Sequence, residues 1–470
     1  MLPRGGGWKP PLSDGRLGDA LATFAQSSGY AYSLLQGFDE ALHAQVGCGS
    51  EANATPIEHS HASPPGSRDA QRCYLPVDVG YYLPRRVLEP HLGEAYTKLP
   101  GSPQSRGGEV LEHQLARRNR LVLEFTACIQ GVRIRLLREG VYWSSCPDSE
   151  LLTNLAKRGL SLVVDLTEDE CRYELPPGLE RLSYPIPDFS FTAHEGVYLR
   201  VLKPLVRAIS EGRVVLVHCR GGIGRSGAVS AMLLVLLDRM PLESAVKAVK
   251  AKSGGEWMPA QELAVRWFER VVSTLGVGFL EELLSFLERR RELSKAIEDA
   301  ATLNHLSTVA NISLDVLEVL QPEYRFEEKH LASAYAAGLL HDLGRLAAAD
   351  KHHVVGARIA EEFESHRVDR KLVVKAVYHH RRRTDLLGDA ELAAMGPHAQ
   401  VVVAAVRAAD TFEDAYRGAG CYRGITRKGR ALVVELPAES SGCYIDTDRL
   451  SEKFRPLREL TRLRVEVDYV

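Results

Sequence analysis

Cysteine and arginine lie six positions apart, with glycines between them, in His218-Cys219-Arg220-Gly221-Gly222-Ile223-Gly224-Arg225-Ser226-Gly227. A loop this rich in glycine can turn its backbone N–H groups onto one anion, and a helix beginning at its far end adds a positive dipole terminus. A thiol at the mouth of such a cradle, close to a guanidinium, favours the thiolate, which is the nucleophilic form. A thiolate and a phosphate cradle together point to phosphoryl transfer through sulfur. Upstream, Leu182-Ser183-Tyr184-Pro185-Ile186-Pro187-Asp188-Phe189 sets a carboxylate on a proline-stiffened loop. Asp188 there could protonate a leaving oxygen and then act as base toward water.

A second kind of chemistry lies further on. Nine of the sixteen histidines fall between His305 and His398. They recur in patterned places: His305, His341-Asp342, His352-His353 and His379-His380, followed by the helical carboxylate Asp410. Imidazole suits Mn, Fe, Zn, Co or Ni, and a carboxylate can complete or bridge such a site. Arg381-Arg382-Arg383 beside the last pair offers positive charge to an anionic substrate.

The elements that must position these groups follow from periodicity. Val214 to Val217 reads as a buried strand and Ala228 to Leu237 as an apolar helix, so the cysteine loop joins strand to helix. Leu121 to Phe125 and Val132 to Leu137 alternate like strands, and Asp148 to Arg158 reads as a helix ahead of a buried strand over Ser161 to Leu166. Strands alternating with helices imply a central sheet flanked by helices. After Gly278 helical periodicity dominates, starting with Phe279 to Ala301, and two strands, Ala431 to Leu436 and Leu463 to Val467, close the chain.

The loop at 218–227 resembles the signature loop of the cysteine-based protein phosphatases, tyrosine and dual-specificity, over about 130–275. The resemblance implies that Cys219 forms a cysteinyl-phosphate and that Arg225 grips two equatorial oxygens. It also implies that Ser226 eases breakdown of the intermediate, that His218 orients the loop and lowers the cysteine pKa, and that Asp188 is the general acid. Arg220, Gly221, Gly222, Ile223 and Gly224 would supply the rest of the phosphate cradle, and Gln261, opening a helix, would position water. No lysine pair marks the loop as specialised for phosphoinositides, and no tyrosine-recognition loop precedes the sheet, so a shallow pocket of the dual-specificity kind is expected.

The His-Asp pair resembles the HD superfamily of metal-dependent phosphohydrolases. That likeness implies a ligand set of His305, His341, Asp342 and Asp410, with His379, His380 and one of His352 or His353 serving a second ion. One such ion lowers the pKa of bound water toward roughly 7, and two can clamp both ends of an in-line displacement. The chain lacks the Gly-Tyr-Pro tripeptide of the cyclic-dinucleotide branch after His380, which disfavours cyclic di-GMP. The closing strands and the His-His-Arg-Arg segment look more like the C-terminal domain of exopolyphosphatase and guanosine pentaphosphatase relatives. That likeness leaves a binding or sensor role open beside hydrolysis of a nucleotide or polyphosphate.

At 470 residues the chain has room for more than one core. The expected division is a Gly/Pro/Ser-containing region over 1–120, a cysteine-dependent α/β phosphatase domain over 121–278, and a mainly helical HD-type domain with a small C-terminal strand pair over 279–470. A net charge of −2 gives no argument for nucleic acid or an acidic membrane surface. Neither a membrane-length apolar run nor a hydrophobic leader core stands in the sequence, and eight scattered cysteines show no metal-ligand spacing. A cytoplasmic phosphatase is expected, acting on a phosphoprotein or a small phosphorylated metabolite or nucleotide. No cofactor is expected at the cysteine site, and one or two divalent ions at the other.

Overall fold

The computed structural model describes residues 127–129, 132–190, 192–348, 350–412, 422–437 and 446–470. The region expected over 1–120 and the strand expected over Leu121–Phe125 lie outside the described residues. Val132–Val470 belongs to one compact unit.

Five strands in that unit, β1 Val132–Arg138, β2 Val141–Ser144, β3 Leu160–Asp165, β4 Glu180–Ser183 and β5 Val214–His218, line up in the order β1-β2-β5-β3-β4. β1 and β2 form an antiparallel hairpin, and the remaining pairings are parallel. β5 therefore lies between two parallel neighbours, which is why Val215, Leu216 and Val217 are buried and the run is apolar without alternation. The register aligns Ser144 and Asp165 with His218, so the carboxyl ends of β2, β3 and β5 meet at one edge. That edge is where sheets of this kind present a ligand site.

The helix α1, Ser149–Lys157, is capped by Asp148, whose carboxylate accepts from Leu151 N–H at 2.7 Å. α2 is Lys203–Ser210, and α3 is Arg225–Asp238, buried from Arg225 through Leu237. A helix with no exposed face shows no amphipathic stripe, which explains why its sequence is apolar all round. α4 Leu242–Ser253 and α5 Pro259–Arg270 follow.

The helical stretch expected over Phe279–Ala301 is three helices: α6 Val277–Glu288, α7 Arg291–Glu298 and the start of α8 Ala300–Tyr324. Asp299 breaks the run because its side chain caps α8 by accepting from Thr302 N–H at 2.8 Å. α9 Glu328–Leu340, α10 His352–Glu361, α11 Arg370–His379, α12 Pro397–Ala409 and α13 Thr447–Thr461 are the longer helices of the rest of this half. α8 and α9 approach closely at Gly338, where a Cβ would fall 2.3 Å from Ala310 Cα. None of the described helices is long and apolar enough to cross a membrane.

The expected C-terminal strand pair is a three-stranded sheet, β6 Gly424–Lys428, β7 Ala431–Leu436 and β8 Arg464–Tyr469, in the order β6-β7-β8. The additional strand reads Gly-Ile-Thr-Arg-Lys, too polar to stand out, and it pairs with β7 through a turn at Gly429 with φ +63°.

Candidate functional site

Residues 219–224 carry the chain from the carboxyl end of β5 into α3. Gly222 has φ +69°, and a Cβ there would meet Ser145 N at 2.4 Å, so only glycine lets the loop cross the end of β2. The turn aims Gly222 N–H at Cys219 Sγ, 3.2 Å away, while Ser226 Oγ stands 3.2 Å off the same sulfur. Cys219 is a free thiol, 2 % exposed. Arg135 on β1 braces the loop from behind, donating to Gly222 O at 3.2 Å and to Ser253 O at 3.2 Å, and Trp143 Nε1 donates to Gly222 O at 3.3 Å. Arg220 and Gly221 form the exposed rim, with Ile223 half-buried behind them.

Arg225 opens α3 and is 3 % exposed. Its Nη1 donates to Ile186 O at 2.9 Å and to Glu170 Oε1 at 3.0 Å, and its Nη2 lies 3.3 Å from Asp188 Oδ2. The proline-stiffened loop thus brings Asp188 to the arginine of the cradle. Glu170 escaped sequence reasoning, because a third acidic residue in Glu168-Asp169-Glu170 carries no signal beyond a polar loop following a strand.

His218 lies 2.8 Å through Nε2 from Tyr173 Oη and 3.7 Å from Asp165 Oδ1. Burial pushes its pKa down to about 4, outweighing the pull of Asp165. The imidazole is therefore neutral near pH 7, held beside Tyr173 at the carboxyl end of β5 where the loop begins. Gln261 Oε1 accepts from Met258 N–H at 3.0 Å as a helix cap, and the amide packs against Gly224, where a Cβ would fall 2.5 Å from it. It touches the cradle with its acceptor already engaged.

Cys146 and Cys171 form a disulfide with Cα atoms 5.8 Å apart. It ties the segment after β2, whose Cys146 N–H donates to Arg220 O at 3.1 Å, to the segment carrying Glu170. Nothing in the spacing of the eight cysteines marks this pair, and a reducing compartment would open it.

In the helical half, His305 comes from α8, His341 and Asp342 follow α9, and Asp410 follows α12. His305 Nε2 and His341 Nε2 are 3.1 Å apart, with Asp342 Oδ2 3.4 Å from the former and Asp410 Oδ1 3.7 Å from the latter. A second pair, His352 Nε2 and His380 Nε2, is also 3.1 Å apart, and each lies 3.5 Å from Asp342 Oδ1. Asp342 thus offers one oxygen to each imidazole pair, and all these residues are buried. His341 Nδ1 is 2.7 Å from Gly338 O, and His380 Nδ1 is 2.6 Å from Val377 O. Donation of those N–H groups turns the Nε2 lone pairs inward. Among the described residues, Asp342 Oδ1, buried between two imidazoles, has no hydrogen-bond partner. Buried imidazole pairs around such a carboxylate fit one or two divalent ions.

His353 and His379, both expected as candidate ligands, are not in this cluster. Adjacent helical residues point about 100° apart, so only one of each neighbouring pair can face inward. His379 Nε2 bonds Asp389 Oδ2 at 2.8 Å, and the His353 ring packs on Tyr378. Arg381 and Arg382 are engaged with Asp350 O and Glu452. The cations at the cluster are instead Arg345, 2.6 Å from Asp342 Oδ2, and Lys453, ion-paired with Asp410 and donating to His380 O at 3.1 Å. Burial alone would raise the Asp410 carboxyl, but Lys453 and His341 hold it far below the usual carboxylate range. Lys453 had a legible signal, because it sits inside the buried stripe Leu450, Phe454 and Leu457 of α13.

Residues 139–238 match the family described as "Polymorphic toxin system, DSP-PTPase phosphatase", and residues 302–413 match the HD domain. Human Dual specificity protein phosphatase 12 is 28 % identical over 131 residues, which are 26 % of this chain and 38 % of that protein. The chain thus spans well under half of that relative. Among solved structures, Tk-PTP in its active form is 31 % identical, with 29 % of this chain and 96 % of that one aligned at a TM-score of 0.28. Human DUSP28 is 20 % identical, covering 30 % and 95 % at a TM-score of 0.28.

Proposed function

From a chain that joins a dual-specificity-type phosphatase domain to an HD domain, we propose a phosphate-monoester hydrolase that works through a cysteinyl-phosphate at Cys219 and acts on phosphorylated proteins. The observation that carries this reading is the convergence on one mouth of a free sulfur, held by Gly222 N–H and Ser226 Oγ, with Arg225 and Asp188 3.3 Å from each other. The sulfur attacks phosphorus and the bond to the ester oxygen breaks. Arg225 turns its planar fork onto two equatorial oxygens, which a point charge would match less well. Asp188 gives its proton to the leaving oxygen, then takes one from the water that cleaves the S–P bond, and Ser226 donates to the departing sulfur.

The HD domain forms the second centre of this reading. His305, His341, Asp342 and Asp410 would hold one divalent ion, and Asp342, His352 and His380 another. Bound ions there would supply a water nucleophile and charge neutralisation for phosphoester hydrolysis. Lys453 orients Asp410, and Arg345, at the more open side of the cluster, meets the anionic substrate.

Hydrolysis of an aryl phosphate by the whole chain, with EDTA or with added manganese and with vanadate in each, separates the two centres. Activity that survives EDTA, falls to vanadate and disappears in Cys219→Ser is the expected result. Activity present only with metal, or retained by Cys219→Ser, would transfer the main reaction to the HD domain.

A further inference from the structure

The segment that carries Asp188 is staked at two ends, and the two stakes belong to different halves of the molecule. At its start, Tyr184 N–H donates to Asp165 O at 2.9 Å, Ile186 N–H donates to Leu166 O at 3.1 Å, and Ile186 O accepts from Arg225. These bonds fix the segment to β3 and to the cradle. At its end, Ala193 N–H donates to Asn304 Oδ1 at 2.7 Å, on α8 of the helical half. The next two residues, His194 and Glu195, are fully buried. His194 Nε2 meets Asn311 Nδ2 at 3.1 Å, and Glu195 Oε1 accepts from Tyr335 Oη–H on α9 at 2.6 Å. Gly196 seats the turn against Leu303, where a Cβ would fall 3.0 Å from Cδ2.

His194, Glu195, Asn311 and Tyr335 are buried, with Asn304 half-buried beside them, and buried polar side chains in such a seam tolerate few alternative alignments, because a shifted partner leaves a group unsatisfied. The seam therefore sets where the segment ends, and Asp188 hangs between that end and Arg225. We propose that Asn304 and Tyr335, on two helices of the HD domain, are positioning residues for the general acid of the cysteine phosphatase. The proposal rests on the reading of Asp188 as that acid. Neither residue touches the phosphate; each acts through the backbone that presents the carboxyl group. A misplacement of about 1 Å at the reacting atoms can cost roughly a hundredfold in rate.

The test uses the full chain in EDTA, so that only the cysteine site turns over, and compares an activated aryl phosphate with phenyl phosphate. Asp188→Asn should slow the poor leaving group far more than the good one. Asn304→Ala and Tyr335→Phe should do the same, by roughly tenfold to a hundredfold on phenyl phosphate. Asn304→Asp, which keeps the acceptor oxygen, should recover most of the loss. In an Asp188→Asn background neither change should cost anything further. Equal losses on both substrates, or losses that add to that of Asp188→Asn, would overturn the positioning role. A wild-type chain active on both substrates whose Asp188→Asn variant shows no leaving-group dependence would instead overturn the assignment of the acid, and this proposal with it. Tyr335→Phe keeps the ring and removes only the hydroxyl, so it carries the test should Asn304→Ala fail to fold.

Discussion

At Arg225 three acceptors share one guanidinium: Glu170, Ile186 O and Asp188. A phosphate entering the cradle must take the place of a carboxylate there, and Glu170 is the one with no proton to deliver. Glu170→Gln is therefore expected to tighten vanadate inhibition by about two- to fivefold, the size of a partly exposed ion pair; unchanged inhibition would show that Glu170 does not compete with the anion. His218 sets a pH dependence. An unfolded imidazole takes up its proton near pH 6.5, whereas the folded one holds off to about 4. The unfolded state thus binds protons first as pH falls, and stability declines between those values by on the order of 3 kcal/mol from this residue. His218→Gln should lessen the fall of the urea midpoint over that window, and an unchanged fall would show that His218 does not contribute to it. Cys219 and Arg225 could be singled out because their spacing combines with glycines between an apolar strand and an apolar helix, and the structure places both at that junction. Glu170 could not, since its meaning comes from β3 lying beside β5, and the choice of His352 over His353 needed the facing of α10.

Among the elements, the crossing of α8 and α9 decides whether the HD cluster exists. His305 and His341 meet because Gly338 lets the helices approach, with the nearest atoms belonging to the Ala310 backbone. Backbone cannot swing aside as a side chain would. Gly338→Ala should force the helices apart at a cost of about 1–3 kcal/mol and lower metal content on elemental analysis; full metal occupancy in that variant would mean the spacing is not what joins the histidines. Helix and strand types were readable from periodicity, and β5 and α3 stand close to where their apolar runs place them. Boundaries were less so: α3 begins at Arg225 because the cradle feeds straight into it, while β6 was hidden by Thr426, Arg427 and Lys428.

For the whole molecule, the decisive fact is that Val132–Val470 belongs to one compact unit. Trp143 and Trp257 stand in the phosphatase half, Trp8 lies outside the described residues, and Trp267 donates to Asp315 on α8 at 3.1 Å, so in a Trp8→Phe, Trp267→Phe variant tryptophan fluorescence watches the phosphatase side alone. Ligands that bind only the folded state stabilise it by about 2.7 kcal/mol at a hundredfold excess over Kd. If the halves unfold together, manganese should raise the fluorescence-detected midpoint and EDTA should reverse it. A midpoint indifferent to metal would show that they melt separately. The seam itself was illegible in the sequence, because Asn304 and Tyr335 read as ordinary helix residues until Ala193 and Glu195 are seen against them.

That seam also limits recombination. Residues 139–238 and 302–413 match two separately described families, which invites treating them as interchangeable parts. Glu195, however, lies within the first segment and Tyr335 within the second, and the bond between them is buried. A graft of either segment onto a foreign partner would strand a carboxylate or a phenol in an apolar face. A substitution on either side of that bond therefore needs an answering one across the joint if both groups are to stay satisfied.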